Sequence, residues 1–186
     1  RIFTRWPISD YKSLVDKKIK IGYGDEYIKM GSLKGFADGS LGSSTAWFFE
    51  RYNQDTTTTG LPMDIITDGS MEKWALDADK NYLQLSVHAI GDRANSYMLD
   101  LYDKISKQNP KWDRRFRVEH SQHVRFEDIK RFAELGVIAS VQPYHCIDDG
   151  VWAEKRIGPE RIKYTYPFKS FWDAGVKMCF GTDWYV

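Results

Sequence analysis

The sequence lacks the features that mark secreted, nucleic-acid-binding or membrane-spanning proteins. Its 186 residues include only two cysteines, Cys146 and Cys179, which lie far apart and outside any CxxC pattern. This scarcity excludes a disulfide framework and fits a reducing compartment, so we expect a cytoplasmic protein. The formal net charge is +1, too small to recruit nucleic acid or an anionic membrane. No apolar run approaches the roughly 20 residues that a membrane-spanning helix needs. The sequence does not begin with Met, which leaves a preceding signal peptide open.

Nucleotide-binding signatures are absent as well. Neither GxGxxG nor the phosphate-binding GxxxxGK pattern occurs, so a nucleotide-binding doubly wound sheet lacks its usual support. What the sequence has instead is a repeated pattern of strand followed by helix. The six candidate strands cover residues 1–5, 27–36, 83–88, 116–120, 137–141 and 176–180. Repeated β-α units predict a parallel sheet with right-handed crossovers. Because six strands are too few to close a barrel, we predict an α/β protein with a partial (β/α)8 TIM barrel over residues 1–186.

The clearest of these units spans residues 82–96. Leu83, Leu85 and Val87 alternate with polar residues, which predicts a strand that ends near His88. Asp92 suits the N-cap of the helix that follows. Apolar residues of that helix recur at spacings of four, three and four, which predicts one buried face. They are Ala94, Met98, Leu101 and Ile105. A histidine thus stands where a buried strand passes into its helix, the edge at which parallel α/β proteins place their chemistry.

Polar side chains stand at or near the ends of the other predicted strands too. The set consists of Lys34, His88, His120, His145 and Asp183. In a barrel these positions converge on one mouth, although they are far apart in the sequence. Neutral imidazoles and a carboxylate are usual ligands of Zn²⁺ and similar divalent ions, and they can leave one position open for water. Asp183 could also accept a proton from that water and pass it to a leaving group.

Plainer interpretations compete with this one. A single strand-end histidine is more often a hydrogen-bonded structural residue than a ligand, and Lys34 alone would be an ordinary surface lysine. Asp38, which precedes Gly-Ser, fits simple turn chemistry. His123 lies past its strand end, so we expect it to face solvent or to cap the next helix. We expect the aromatic residues at 47–52 to pack their long loop, and both cysteines to be buried and inert.

Five segments together resemble the amidohydrolase superfamily, and within it amidohydrolase family 3, whose members are similar to N-substituted formamide deformylase. They are KGFADGSLGSSTA (34–46), VHAIGDRA (87–94), EHSQ (119–122), ELGVIASVQPYH (134–145) and FGTDW (180–184). Each segment alone is a weak signal. Their occurrence in this order over nearly the whole chain makes the resemblance specific.

The resemblance implies a (β/α)8 barrel beside a small β-sandwich domain, with one or two divalent metal ions, zinc being the expected one. It implies hydrolysis of a non-peptide, amide-type C–N bond in a small-molecule substrate by a metal-activated water. By position, Lys34 would be the lysine that is carboxylated in some members and bridges two metals. His88, His120 and Asp183 would be metal ligands, with Asp183 also the general base. His145 would contact the substrate.

The chain also departs from the family pattern. The family's first strand carries a His-x-His pair, and no two histidines here are separated by one residue. We therefore expect the chain to correspond to strands three to eight of the barrel, without the first strands, the closing helix and the β-sandwich. We expect this segment alone to be catalytically inactive and to self-associate as a homo-oligomer. Two alternatives stay open for the whole protein: a non-catalytic barrel used for binding or regulation, and a deaminase of the same superfamily.

Overall fold

The computed structural model of the protein describes residues 1–184, which form one six-stranded parallel sheet with helices packed against it. The strands lie side by side in sequence order. Their bounds are β1 Ile2–Pro7, β2 Ile28–Phe36, β3 Gln84–Ala89, β4 Arg117–His120, β5 Ile138–Val141 and β6 Met178–Phe180. Every neighbouring pair is parallel. The sheet curls into a partial barrel, which confirms the predicted fold class.

Helices fill the connections between the strands. They are α1 Tyr11–Asp16, α2 Asp64–Thr67, α3 Ser70–Lys80, α4 Asp92–Gln108, α5 Phe126–Leu135, α6 Pro143–Asp149, α7 Ala153–Arg161 and α8 Phe168–Asp173. Short 3₁₀ turns occupy Ile8–Asp10 and Ile162–Tyr164. The connection between β5 and β6 contains three of these helices, α6, α7 and α8. Among the described helices, none is long and apolar enough to cross a bilayer.

The two faces of the sheet differ in chemistry. Leu33, Leu85, Val87 and Val118 have no exposed surface and join one apolar core with the buried faces of α3, α4 and α5. That core includes all four residues of the predicted α4 face. Serine hydroxyls of β3 and β5 instead converge on the carboxylate of Glu119 in β4, within the sheet's polar face. The alternation of strand side chains thus separates a hydrophobic layer from a polar interior.

The structure shows how α5 ends and corrects the predictions for Asp92 and for the two cysteines. Gly136 ends α5 with φ 66°, a left-handed conformation that glycine adopts without strain. Asp92 is not the N-cap of α4: Gly91 holds that position, and the Asp92 carboxylate accepts hydrogen bonds from Phe49 N–H and the Tyr164 hydroxyl. Both cysteines are free and half-buried, not fully buried.

His123 does not face solvent and does not cap a helix. Its side chain is fully buried, and its Nδ1 lies 2.8 Å from the Thr165 hydroxyl. Its backbone N–H donates to the carbonyl of Ile90. Burial lowers the pKa of His123 to about 3, so the imidazole is neutral at physiological pH. The residue therefore joins the β3–α4 turn to the segment before α8.

The long connection after β2 is packed, as predicted for its aromatic residues. Phe48 and Tyr52 are fully buried in a second apolar cluster with Ile157 of α7. Arg161 at the end of α7 is also buried, and its guanidinium donates to the backbone carbonyls of Glu50 and Arg51. An arginine that satisfies main-chain oxygens in this way holds the loop against α7. Together the loop and α7 form one wall above the sheet's carboxyl edge.

Candidate metal centre

All five predicted site residues meet at the carboxyl edge of the sheet. Lys34 lies near the end of β2, His88 and His120 lie at the ends of β3 and β4, His145 lies in the first turn of α6, and Asp183 follows β6. All five line one cavity of about 530 Å³. The cavity forms here because the carboxyl ends of parallel strands lie at the same edge of the sheet, and their connections rise around it.

Three of these side chains come close enough to share an ion. Ligand-capable atoms of His120, His145 and Asp183 all lie within 4.8 Å of one another. Nε2 of His120 is 3.8 Å from Oδ2 of Asp183. The rings of His120 and His145 are nearly parallel, with centroids 6.1 Å apart. Two imidazoles and one carboxylate form the type of donor set that zinc sites with an open position use.

His120 is held in the neutral form that binds metals. Burial lowers its pKa to about 2. Repulsion from the nearby cationic groups of His88 and Lys34 also lowers it. Its Nδ1 is buried and accepts no hydrogen bond from the described residues. The side chain of Gln142 acts in the opposite direction and raises the pKa of His120. A buried imidazole nitrogen without a partner carries an energetic cost.

Two of the three residues hold unusual backbone conformations. His120 has φ 75° and Asp183 has φ 53°, both in the left-handed region that non-glycine residues rarely adopt. Such conformations store of order 1–3 kcal/mol each and persist where the surrounding structure imposes them. In both cases the deviation occurs where a strand ends, and it turns the side chain toward the cavity.

His88 contacts this group without joining it. Its ring centroid is 4.5 Å from that of His120. Its Nε2 lies 2.8 Å from the carbonyl oxygen of Gly39 and 3.4 Å from Oδ1 of Asp38. A proton on Nε2 would satisfy Gly39 and leave Nδ1 as the lone-pair nitrogen. The predicted role of His88 as a ligand stays a prediction.

Asp38 is a site residue that sequence reasoning missed. It is 1% exposed, and its carboxylate accepts hydrogen bonds from the backbone N–H groups of Ile90, Gly91 and Trp47 at 3.0, 2.8 and 2.8 Å. The residue therefore ties the loop after β2 to the β3–α4 turn that follows His88. In the sequence Asp38 is simply an acidic residue two positions after a strand, a pattern that ordinary turns also show.

Lys34 is the positively charged residue that lines the cavity. Burial lowers its pKa to about 8, and Arg5 and Arg117 reinforce this shift while Glu119 and Asp183 oppose it. A lysine with such a pKa carries a substantial neutral amine fraction just above neutrality. Its Nζ lies 4.6 Å from the centroid of the Phe36 ring.

Glu119 is the second residue that the sequence did not reveal. It is 3% exposed, and it forms ion pairs with Arg5 at 3.1 Å and Arg117 at 2.9 Å. The hydroxyls of Ser86 and Ser140 donate to its two oxygens at 2.6 and 2.7 Å. Burial is the largest single influence and raises its pKa, but these four partners together lower it. Glu119 therefore supplies a fixed negative charge beneath Lys34.

The remaining walls are of two kinds. Apolar side chains form one part of the lining: Phe36, Leu41, Ile90 and Trp152. Asp148 and Asp149, at the end of α6, form an acidic part. The cavity thus combines a polar group able to hold a metal with an apolar surface able to hold an organic body.

The chain is similar to several known proteins. Residues 5–186 match the sequence profile of the amidohydrolase family. The chain is 38% identical over 183 residues to Protein LONG AFTER FAR-RED 3 of Arabidopsis thaliana. Crystal structures of uncharacterized metal-dependent hydrolases from Pyrococcus furiosus and Pyrococcus horikoshii cover 100% and 98% of this chain. Their TM-scores are 0.86 and 0.83, at 29% and 28% identity.

The chain spans only about a third of these proteins. It covers 31% of the Arabidopsis sequence, and 37% and 35% of the two Pyrococcus chains. The site described here is therefore built from a segment that corresponds to part of each relative.

Proposed function

The chain belongs to the amidohydrolase family, and from this premise we propose that it forms strands three to eight of a longer metal-dependent hydrolase. We propose that this enzyme cleaves an amide-type C–N bond in a small organic molecule. The N-substituted formamides are the subclass that the sequence motifs favour. Two structural relatives at 28–29% identity are described as metal-dependent hydrolases, which supports the reaction class. The substrate class rests on the motifs and on the cavity.

One observation carries the proposal: the clustering of His120, His145 and Asp183 at the carboxyl edge of the sheet. These residues would hold a divalent ion, and nitrogen and oxygen donors in this number favour zinc. The neutral imidazole of His120, whose Nε2 lies 3.8 Å from Oδ2 of Asp183, fits a ligand role. Lys34 and His88 line the same cavity and would complete the set in the whole protein.

When bound, a divalent ion polarises a carbonyl oxygen and lowers the pKa of water. The residues of the chain supply the other requirements of hydrolysis. Asp183 is 40% exposed at the cavity, so its carboxylate can take a proton from the attacking water and return it to the departing nitrogen. Phe36 and Trp152 provide apolar surface for the body of the substrate. Glu119 raises the pKa of Lys34, whereas its ion-pair partners Arg5 and Arg117 lower it.

The test uses the full-length protein purified with and without chelator. Metal content is measured by elemental analysis, and hydrolysis is measured on a panel of N-formyl and N-acetyl amines. We expect activity that chelation abolishes and zinc restores. Asp183→Asn should lose activity by roughly 10²–10⁴-fold, because it removes the proton acceptor, and it should also bind the metal less tightly, because it removes a carboxylate ligand. His120→Ala should lose metal and activity together.

A matched control separates these effects from damage to the fold. Asp173→Asn changes an exposed carboxylate in α8 that pairs with Lys169, and it should keep both metal and activity. Stoichiometric metal without turnover of any amide would favour a binding or regulatory barrel. Ammonia release from amino-heterocycles, with no cleavage of amides, would favour a deaminase. Full activity after complete removal of metal would refute the proposal.

A further inference from the structure

Asp149 is a charged residue of the cavity that the proposed mechanism does not use. It is the last residue of α6, is half-buried and lines the cavity. His145 stands four residues earlier on the same helix. Residues four apart lie on one helix face at a Cβ separation of about 5–6 Å. The Asp149 carboxylate therefore lies about one helical turn from the group of His120, His145 and Asp183.

The structure holds this carboxylate by one oxygen only. Oδ2 of Asp149 accepts a hydrogen bond from Nε2 of Gln122 and another from the hydroxyl of Tyr166, both at 2.6 Å. Gln122 is buried, and Tyr166 holds a left-handed backbone conformation. For Oδ1, no donor lies within hydrogen-bonding distance in the part of the chain that the structure describes. The carboxylate is thus oriented by its surroundings and keeps one acceptor oxygen unused.

A purely structural role would explain the two donors but not the arrangement as a whole. Oδ2 joins α6 to the segment before α8, and Oδ1 remains available as an acceptor. Asp149 lines the cavity, and the same lining includes the apolar side chains of Leu41 and Trp152. The neighbouring Asp148 adds a second negative charge to the same wall. This wall disfavours a substrate with a carboxylate at that end.

We propose that Asp149 is a specificity-determining residue that selects substrates carrying an ammonium group a few bonds from the scissile amide. The inference rests on the proposed hydrolase function. It names the substrate class as mono-N-acyl derivatives of apolar diamines. The carbonyl would lie at His120, His145 and Asp183, the apolar body against Trp152 and Leu41, and the ammonium at Oδ1 of Asp149.

Three probes with one aromatic body test the proposal in the full-length, zinc-loaded protein. They are 3-(acetamidomethyl)benzylamine, which is cationic, N-acetyl-3-methylbenzylamine, which is neutral, and 3-(acetamidomethyl)benzoic acid, which is anionic. We expect kcat/KM to be roughly 10- to 100-fold higher for the cationic probe than for the neutral one, the range of a charge-assisted hydrogen bond. The anionic probe should be the poorest substrate.

Asp149→Asn should reduce this ratio to about one by lowering kcat/KM for the cationic probe. The asparagine side-chain oxygen can still accept from Gln122 and Tyr166, so the fold should be kept, and thermal unfolding checks this. Asp173→Asn is the control. It removes an exposed carboxylate of α8 that is not among the residues lining the cavity, and it should keep the preference. An unchanged preference in Asp149→Asn, or no preference in the wild-type protein, would overturn the inference.

Binding without turnover separates this inference from the proposed function. Calorimetry compares 3-methylbenzylamine, which carries an ammonium group, with 3-methylbenzyl alcohol, which is neutral, using wild-type protein and Asp149→Asn. Tighter binding of the amine by roughly tenfold, lost in the variant, would support the role of Asp149 even if none of the three amides is hydrolysed. That result would then refute only the hydrolase assignment. Equal binding of the amine and the alcohol by the wild-type protein would reject the role of Asp149 whatever the activity.

Discussion

The strongest structural test of the site is the removal of the Asp38 carboxylate. Asp38 joins two loops that are remote in sequence, because its oxygens accept N–H groups from Trp47, Ile90 and Gly91. The carboxylate is almost fully buried, and one oxygen also lies 3.4 Å from Nε2 of His88. Asp38→Asn keeps the size of the side chain but replaces one acceptor oxygen by an NH₂ donor. That donor would face one or two of the same N–H groups.

The magnitude follows from the number of bonds affected. A hydrogen bond to a charged group contributes about 1.5–3 kcal/mol, and a buried donor left without an acceptor costs about 1–3 kcal/mol. Loss of one to two of the three bonds should therefore destabilise the local structure by about 2–4 kcal/mol. Such a change accelerates local opening by roughly 30- to 1000-fold, since about 1.4 kcal/mol corresponds to a factor of ten.

Hydrogen exchange followed by mass spectrometry measures this opening directly in the full-length protein. Peptides that cover residues 44–49 and 87–94 should exchange faster in Asp38→Asn by that factor, whereas peptides from α5 should not change. Asp55→Asn is the control, because Asp55 is an exposed residue whose carboxylate accepts hydrogen bonds from the neighbouring Thr57. Acceleration of less than threefold in both affected peptides would show that the three hydrogen bonds do not hold the loops together.

Three further predictions concern stability and association. The pKa of His123 is lowered by burial to about 3, so the unfolded chain takes up a proton that the folded chain does not. Stability should therefore fall as the pH decreases from about 6.5 toward 3. Thermal midpoints at pH 7 and 5 should differ less in His123→Asn than in the wild-type protein; an equal difference would contradict this. Phe132→Ala should cost about 3–5 kcal/mol in urea unfolding, because the ring is fully buried, whereas Phe126→Ala at an exposed position should cost less than about 1 kcal/mol. The isolated 186-residue chain should sediment as a dimer or larger, because β1 and β6 each have one neighbouring strand and expose Phe3 and Phe180; a stable monomer at micromolar concentrations would contradict this.

The elements of the barrel could be predicted from the sequence because their signals are local. The alternation at residues 83–88, the spacing of apolar residues in α4 and the position of Gly136 each reflect the geometry of neighbouring residues along the chain. The strand-end positions of His88, His120 and Asp183 followed from the same pattern. A parallel sheet brings the ends of its strands to one edge whatever the details of packing. The residues that meet at the candidate site could therefore also be predicted from the sequence.

The partners of the buried polar residues depended on the tertiary structure. Asp38 accepts from residues up to 53 positions away, Glu119 pairs with Arg5 from β1, and His123 bonds Thr165 across 42 positions. Such bonds depend on which loops meet, and the loops carry no periodic pattern from which this could be read. For the same reason His123 was expected at the surface and Asp92 at a helix cap. Whether a polar residue is buried depends on donors and acceptors that distant segments supply, and only the folded chain brings those segments together.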